Sequence, residues 1–236
     1  MTQPRTADAL ARHAQKLACD EIFGESPKEE AAFEVAENAY EFCDRMIERA
    51  LSQSSLQEQP VCATGCASCC HLHTTASAPE VLLIAEHLRI GNVDHLELKQ
   101  RLNRHIASTT NLSATERRRL RLPCPLLSEN TCMVYEARPL VCRGWNSLNL
   151  QRCEADLAHP DLETTALLNV KQYRVAGQIA QGLAESIQGQ GLDAQPLDMV
   201  RALAIALEVE DADQKWLDGQ EPFREAMNDL VFAKDA

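Results

Sequence analysis

No hydrophobic run in this sequence approaches the roughly twenty residues that a helix needs to cross a bilayer. Residues 1–18 carry no apolar stretch of the kind that forms a secretory signal. A soluble, cytoplasmic protein with no membrane partner is expected. Positive charge is also scarce. The 23 Lys and Arg are outnumbered by 35 Asp and Glu, and the net charge of -12 argues against a general nucleic-acid surface. The run Arg117-Arg118-Arg119-Leu120-Arg121 is the local exception. It reads as a solvated helix face or as charge partners for thiolates and carboxylates. Convincing strand alternation, internal repeats and a glycine-rich cofactor loop between strand and helix are all missing. What remains is helical periodicity, and cysteine.

The 236 residues are enough to bury a core without staples. Residues 7–22 read as a first helix. Ser26-Pro27-Lys28-Glu29 then offers an N-cap serine, a proline at the first helical position and a capping-box glutamate. Phe33, Ala36, Tyr40, Cys43, Ile47 and Ala50 follow at helical spacing as one apolar seam. Cys43 lies on that seam and reads as a core thiol; Cys19 has no neighbouring thiol and reads likewise. Further helices are expected from the capping box Ser77-Ala78-Pro79-Glu80, over residues 93–107, and from a third box at Ser113-Ala114-Thr115-Glu116. Residues 123–159 lose periodicity. Helices return over 161–187, 196–209 and 222–232, the first carrying Leu162, Ala166, Val170, Tyr173, Ala180 and Ile187, the last Phe223, Ala226, Met227, Leu230 and Val231. The expected fold class is all-α, with an irregular cysteine-rich metal-binding region in the middle. N-terminal helices over 1–58, a cysteine core over 59–160 and C-terminal helices over 161–236 would pack as one structural unit.

Eight of the ten cysteines fall into two groups. Cys62, Cys66, Cys69 and Cys70 lie within nine residues; Cys124, Cys132, Cys142 and Cys153 return after a helical insert. In a reducing compartment such clustering points to a metal rather than to disulfides. Cys66-x2-Cys69 has the spacing at which a short loop turns two sulfurs onto one ion, and Gly65 allows the tight backbone. Adjacent Cys69 and Cys70 tend to point differently, and could serve two metals or leave one sulfur beside the metal without binding it. The returning set is large enough to close a four-thiolate site across the insert, and eight thiols are enough for two sites. His71 and His73 read as polar loop residues, because thiols are already plentiful. Arg138 and Arg143, beside Cys142, would offset the negative charge of clustered thiolates.

Cys66-Ala67-Ser68-Cys69-Cys70, Cys124-Pro125-Leu126-Leu127, Cys132-Met133-Val134-Tyr135 and Arg138-Pro139-Leu140-Val141-Cys142-Arg143 together resemble the YkgJ-type CxxCxxCC family. The resemblance spans about residues 61–153. It implies chelation of zinc or iron, and a relation to flagellin lysine N-methylases, which contain similar domains. Three residues rather than two separate Cys62 from Cys66, and Cys153 lies outside the Arg-Pro…Cys-Arg phrase.

Two kinds of centre follow from the residues: an iron–sulfur cluster (4Fe–4S) or zinc, since both accept four thiolates. The surplus of cysteine and the sparing use of histidine favour iron–sulfur. Three other readings compete. The spacing Cys62-x3-Cys66-x2-Cys69 is similar to that of radical S-adenosylmethionine enzymes, but helices rather than βα units surround it, and Ser68 stands where those enzymes have an aromatic. A structural zinc module would present its helices to a protein partner. A dithiol redox protein using Cys69 with Cys70, or Cys66 with Cys69, lacks a thioredoxin-like βαβ context. No residue is marked as catalytic.

Overall fold

A computed structural model describes residues 6–160 and 167–227. Most of these residues are helical, and the cysteine-rich segment occupies the middle of the chain. Helices α1 (Ala7–Glu25) and α2 (Lys28–Ser52) come first. Thr6 caps α1 through the Ala9 amide. The expected serine cap on α2 is not formed. Ser26 instead ends α1, its amide bonding the Ile22 carbonyl, and its hydroxyl donates to Glu34, while Pro27 takes the cap position. The two helices are joined so tightly that one residue cannot both close the first and open the second.

The apolar seam of α2 is buried as its spacing requires, with Val35, Ala36, Ala39, Tyr40 and Cys43 inside. Cys19 and Cys43 are both fully buried, and Cys19 accepts a hydrogen bond from Gln15 Nε2 at 3.0 Å. Burial pushes their thiols up to about 11 and about 12. Both are core residues.

Helices α3 (Ala78–Ile90), α4 (His95–Thr109) and α5 (Ala114–Leu120) follow the first cysteine group. The capping boxes at Ser77/Glu80 and Ser113/Glu116 are both formed, and Asp94 caps α4 through the Glu97 amide. Val81, Leu82, Ile84, Ala85 and Leu88 of α3 are buried. Within the stretch lacking periodicity lie two short helices, α6 (Leu140–Gly144) and α7 (Leu150–Ala158). Helix α8 (Val170–Gly189) starts at Asn169, which caps the Gln172 amide. Leu162 and Ala166, expected on the same helix, lie outside the described residues. Val170 and Tyr173 are exposed, and the buried stripe runs instead through Ala176, Ile179, Leu183 and Ile187. Helices α9 (Met199–Glu208) and α10 (Ala212–Leu217) complete the set. A 3-10 turn, Arg224–Ala226, stands within the last expected helix, whose Leu230 and Val231 lie outside the described residues.

Helix α8 lies against α1, α2 and α6, and α3 bridges α2 and α9. Gly182 allows the closest approach of α8 to α1, because a β-carbon there would strike the Arg12 carbonyl. One continuous core takes residues from both ends and from the cysteine segment, including Cys43, Leu82, Leu126, Leu140, Leu183 and Trp216.

Two antiparallel pairs of two-residue strands escape the sequence pattern. β1 (Thr75–Ala76) pairs with β4 (Leu197–Asp198), and β2 (Leu127–Ser128) pairs with β3 (Thr131–Cys132). Two residues are too few for alternation to register. Among the described residues no helix is long and apolar enough to cross a membrane.

Candidate metal centre

The first cysteine group is a chain of tight turns. The Cys66 amide bonds the Ala63 carbonyl at 2.9 Å, and Gly65 between them has φ +84°, a left-handed value that glycine adopts without strain. The Cys70 amide bonds the Ala67 carbonyl at 2.9 Å, opening a 3-10 turn, Ser68–His71, that carries Cys69 and Cys70. Outside this turn the group is tied to the segment after α6. The Val61 amide reaches the Ser147 carbonyl at 2.8 Å, and the Ser147 amide returns to Cys62 Sγ at 3.4 Å.

The second group is brought to the first by backbone. The Cys124 amide donates to the Cys70 carbonyl at 2.7 Å, across the helical insert. After Cys124 the chain forms the β2–β3 hairpin, whose turn residues Glu129 and Asn130 have φ +48° and +59°. This primed turn matches the strand twist and folds Cys132 opposite Leu127. Cys142 sits on α6. The start of that helix is held where the Leu140 amide donates to Glu80 Oε1 at 2.8 Å, and its end where Gly144 meets α8. Cys153 is on α7, which packs against the Ser68–His71 turn.

The sulfurs have donors waiting. The Ser147 amide donates to Cys62 Sγ, and the backbone at Leu126 and Val134 pulls the thiols of Cys124 and Cys132 down against the upward push of burial. An amide two residues beyond a cysteine, aimed back at its sulfur, stabilises a thiolate. Residues 61–163 match the family model CxxCxxCC, described as "Putative zinc- or iron-chelating domain". Over this segment the chain is similar to that family. Comparison with curated proteins and with solved structures gives no match.

As placed, no three His, Cys, Asp or Glu side chains among the described residues stand close enough to grip one ion. Burial, above all, pushes Cys124 up to about 11 and lifts Cys62, Cys132 and Cys142 above the ordinary thiol value. A hydrogen bond with Cys70, together with burial, raises Cys69 further. Sulfur side chains in two groups that the backbone ties together are the donor chemistry that a thiophilic metal takes.

Charge around the sulfurs is divided differently from the sequence expectation. Arg138 lies close enough to lower Cys69 and Cys132, as its adjacency suggested. Arg143 does not take that role. It is 3% exposed, lies over the Tyr40 ring at 4.2 Å, and donates to Asp44 and to the Glu136 and Arg138 carbonyls. It braces the loop that leads to α6. Arg101 of α4, which the sequence did not mark, stands near Cys124 and bonds the Leu127 carbonyl. It is 23 residues from the nearest cysteine in sequence, so no local pattern could have shown it.

His71 Nδ1 is 3.1 Å from the Ala67 carbonyl, as befits a loop residue. His73 is half-buried beside Asp198, 4.0 Å away, and desolvation holds its pKa below the ordinary imidazole value. Asp198 caps α9 through the Val200 and Arg201 amides and also faces Arg117 at 3.8 Å. Arg121 pairs with Asp156 at 3.0 Å. These two members of the basic run are thus partners for carboxylates.

Proposed function

We propose that this chain is a metal-binding protein that holds iron, as a 4Fe–4S cluster, or zinc. Cys62, Cys66, Cys69, Cys70, Cys124, Cys132, Cys142 and Cys153 supply the ligands. The observation that carries this reading is the Cys124 amide to Cys70 carbonyl bond, which joins two cysteine groups more than fifty residues apart. The Ser147 amide that reaches Cys62 Sγ at 3.4 Å supports it independently.

Iron–sulfur ranks ahead of zinc because the available donors are thiols, with His71 turned to a backbone carbonyl. A bound cluster would supply electron transfer or Lewis acidity; bound zinc would brace the fold or polarise a ligand. The chain's own residues hold the sulfurs in place, donate amide hydrogens to thiolate, and place Arg101 and Arg138 against the excess negative charge. The protein works in the cytoplasm, where cysteines stay reduced and free to ligate.

Elemental analysis and an absorption spectrum of protein purified without oxygen test this reading. Stoichiometric iron and sulfide with a broad visible band establish the cluster. Stoichiometric zinc in a colourless sample makes this a zinc protein. Absence of both metals removes the assignment.

A further inference from the structure

We propose that a cavity between α2, α8 and the flanks of α6 binds a small aliphatic polyamine, a methylene chain carrying two or more ammonium groups. The inference is independent of what the cysteines hold.

The cavity has a volume of about 470 Å³, within the range of roughly 300–1,000 Å³ usual for small-molecule sites. Asp44, Ile47, Glu48 and Leu51 of α2 form one wall. Their spacing, i, i+3, i+4 and i+7, puts all four on a single helix face, where carboxylate and aliphatic side chains alternate. Asn146 and two arginines come from α6 and its flanks, Gln59 from the segment after α2, and Gln172 from α8.

The hydrogen-bonding capacity left over in these side chains is mainly that of acceptors. Asn146 Nδ2 donates to the Arg143 carbonyl at 2.7 Å, and Gln59 Nε2 donates to the Leu51 carbonyl at 2.9 Å. Those bonds fix both amides and leave each side-chain oxygen without a donor among the described residues. The two guanidiniums are turned to protein. Arg143 spends its three nitrogens on Asp44 and on the Glu136 and Arg138 carbonyls. Arg138 donates to the Tyr135 carbonyl and lies over the Tyr135 ring at 3.9 Å. Glu48 has no ion pair among the described residues.

Gln172 is the group that asks for a ligand. It is 3% exposed, yet its Oε1 meets no hydrogen-bond donor. A buried amide left unpaired lowers stability, and this one stands at the wall of a cavity where a bound N–H would complete it. No bond among the described residues holds its Nε2 either, so the amide can turn over and present its oxygen to the cavity.

A ligand here must therefore bring donors and positive charge. Asp44, Glu48, Gln59, Asn146 and Gln172 offer more acceptor sites than the three N–H bonds of one ammonium can meet, so more than one such group is called for. Methylenes between them suit Ile47 and Leu51. An anion would meet two carboxylates while the neighbouring guanidiniums are already committed.

Isothermal titration calorimetry of the full chain with spermidine tests the site, at about 0.15 M salt so that loose attraction to an acidic protein is screened. The expected result is saturable binding of one spermidine per chain and none of glutarate, a dianion. Glu48→Gln should weaken binding about fivefold. Glu210→Gln, which removes an exposed carboxylate outside the cavity, should leave it unchanged. Gln172→Met should weaken binding about tenfold, yet leave the free chain at least as stable to urea as the wild type, because it removes an unpaired buried amide. No saturable binding by the wild type, or glutarate bound in place of spermidine, overturns the proposal. Equal affinity in the wild type, Glu48→Gln and Gln172→Met overturns it as well, since spermidine then binds elsewhere. A Gln172→Met chain that unfolds more readily than the wild type shows the amide serving the fold and overturns its role as a ligand group.

Discussion

Glu80 is bonded to Leu140. The carboxylate that closes the capping box of α3 through the Ser77 amide and hydroxyl, both at 2.8 Å, turns its other oxygen to the first amide of α6. One buried side chain, 4% exposed, thus closes the start of α3 and locates the helix that carries Cys142. Glu80→Ala strands the Ser77 and Leu140 donors. It should cost about 2–6 kcal/mol of stability by urea unfolding, at one to three for each of the two residues left unpaired. Metal content should fall with it.

The same carboxyl gives a pH signature. Burial lifts its pKa above the ordinary value, against the opposing pull of Ser77, Leu140 and Arg143. The folded chain therefore holds this proton more tightly than the unfolded chain. The resulting stability is full below the unfolded value of about 4.3 and is lost as pH rises through the folded value. Glu80→Gln should remove this component. Urea midpoints at a series of pH values above 4.3, at constant metal loading, check it: the wild type should lose stability relative to the variant as pH rises.

Gly144 sets the seat of α6 on α8. A β-carbon there would lie 2.6 Å from Ala176 Cβ, inside contact distance. Gly144→Ala should destabilise by about 1–3 kcal/mol through overpacking. Adding Ala176→Gly should restore part of that loss, and a thermal-unfolding double-mutant cycle measures the coupling.

Cys66→Ser, Cys69→Ser and Cys142→Ser should each lower metal content and melting temperature, because site formation and folding are linked. Cys19→Ser and Cys43→Ser should leave metal content unchanged, since both thiols belong to the apolar core. Metal analysis of the five variants separates ligands from core. Full retention in the first three would sink the ligand assignment.

Arg138 and Arg143, five residues apart, should behave differently. Arg138→Gln should weaken metal retention by about tenfold, measured by chelator competition, with little change in the unfolding of metal-free protein. Arg143→Gln should mainly cost stability, about 2 kcal/mol, because the Glu136 and Arg138 carbonyls lose their partner.

Much of the frame could be read from local pattern. The helical seam of α2, the two capping boxes and the core role of Cys19 and Cys43 depend on neighbours within a turn or two. Their physics is local, and the folded chain obeys it. Ser26 departed from the pattern because two helices compete for it, and Arg143 because Asp44, ninety-nine positions away, claims its guanidinium.

By itself the sequence determined that this chain is helical, that its thiols come in two groups, and that they suit a metal. Spacing along the chain suffices for these conclusions, because helix periodicity and chelate loops act over a few residues. Only the tertiary structure decided that the Cys124 amide meets the Cys70 carbonyl, that Arg101 stands near Cys124, and that Glu80 seats the helix of Cys142. Those relations join segments tens of residues apart, and they exist only once burial of the common core has brought the segments together.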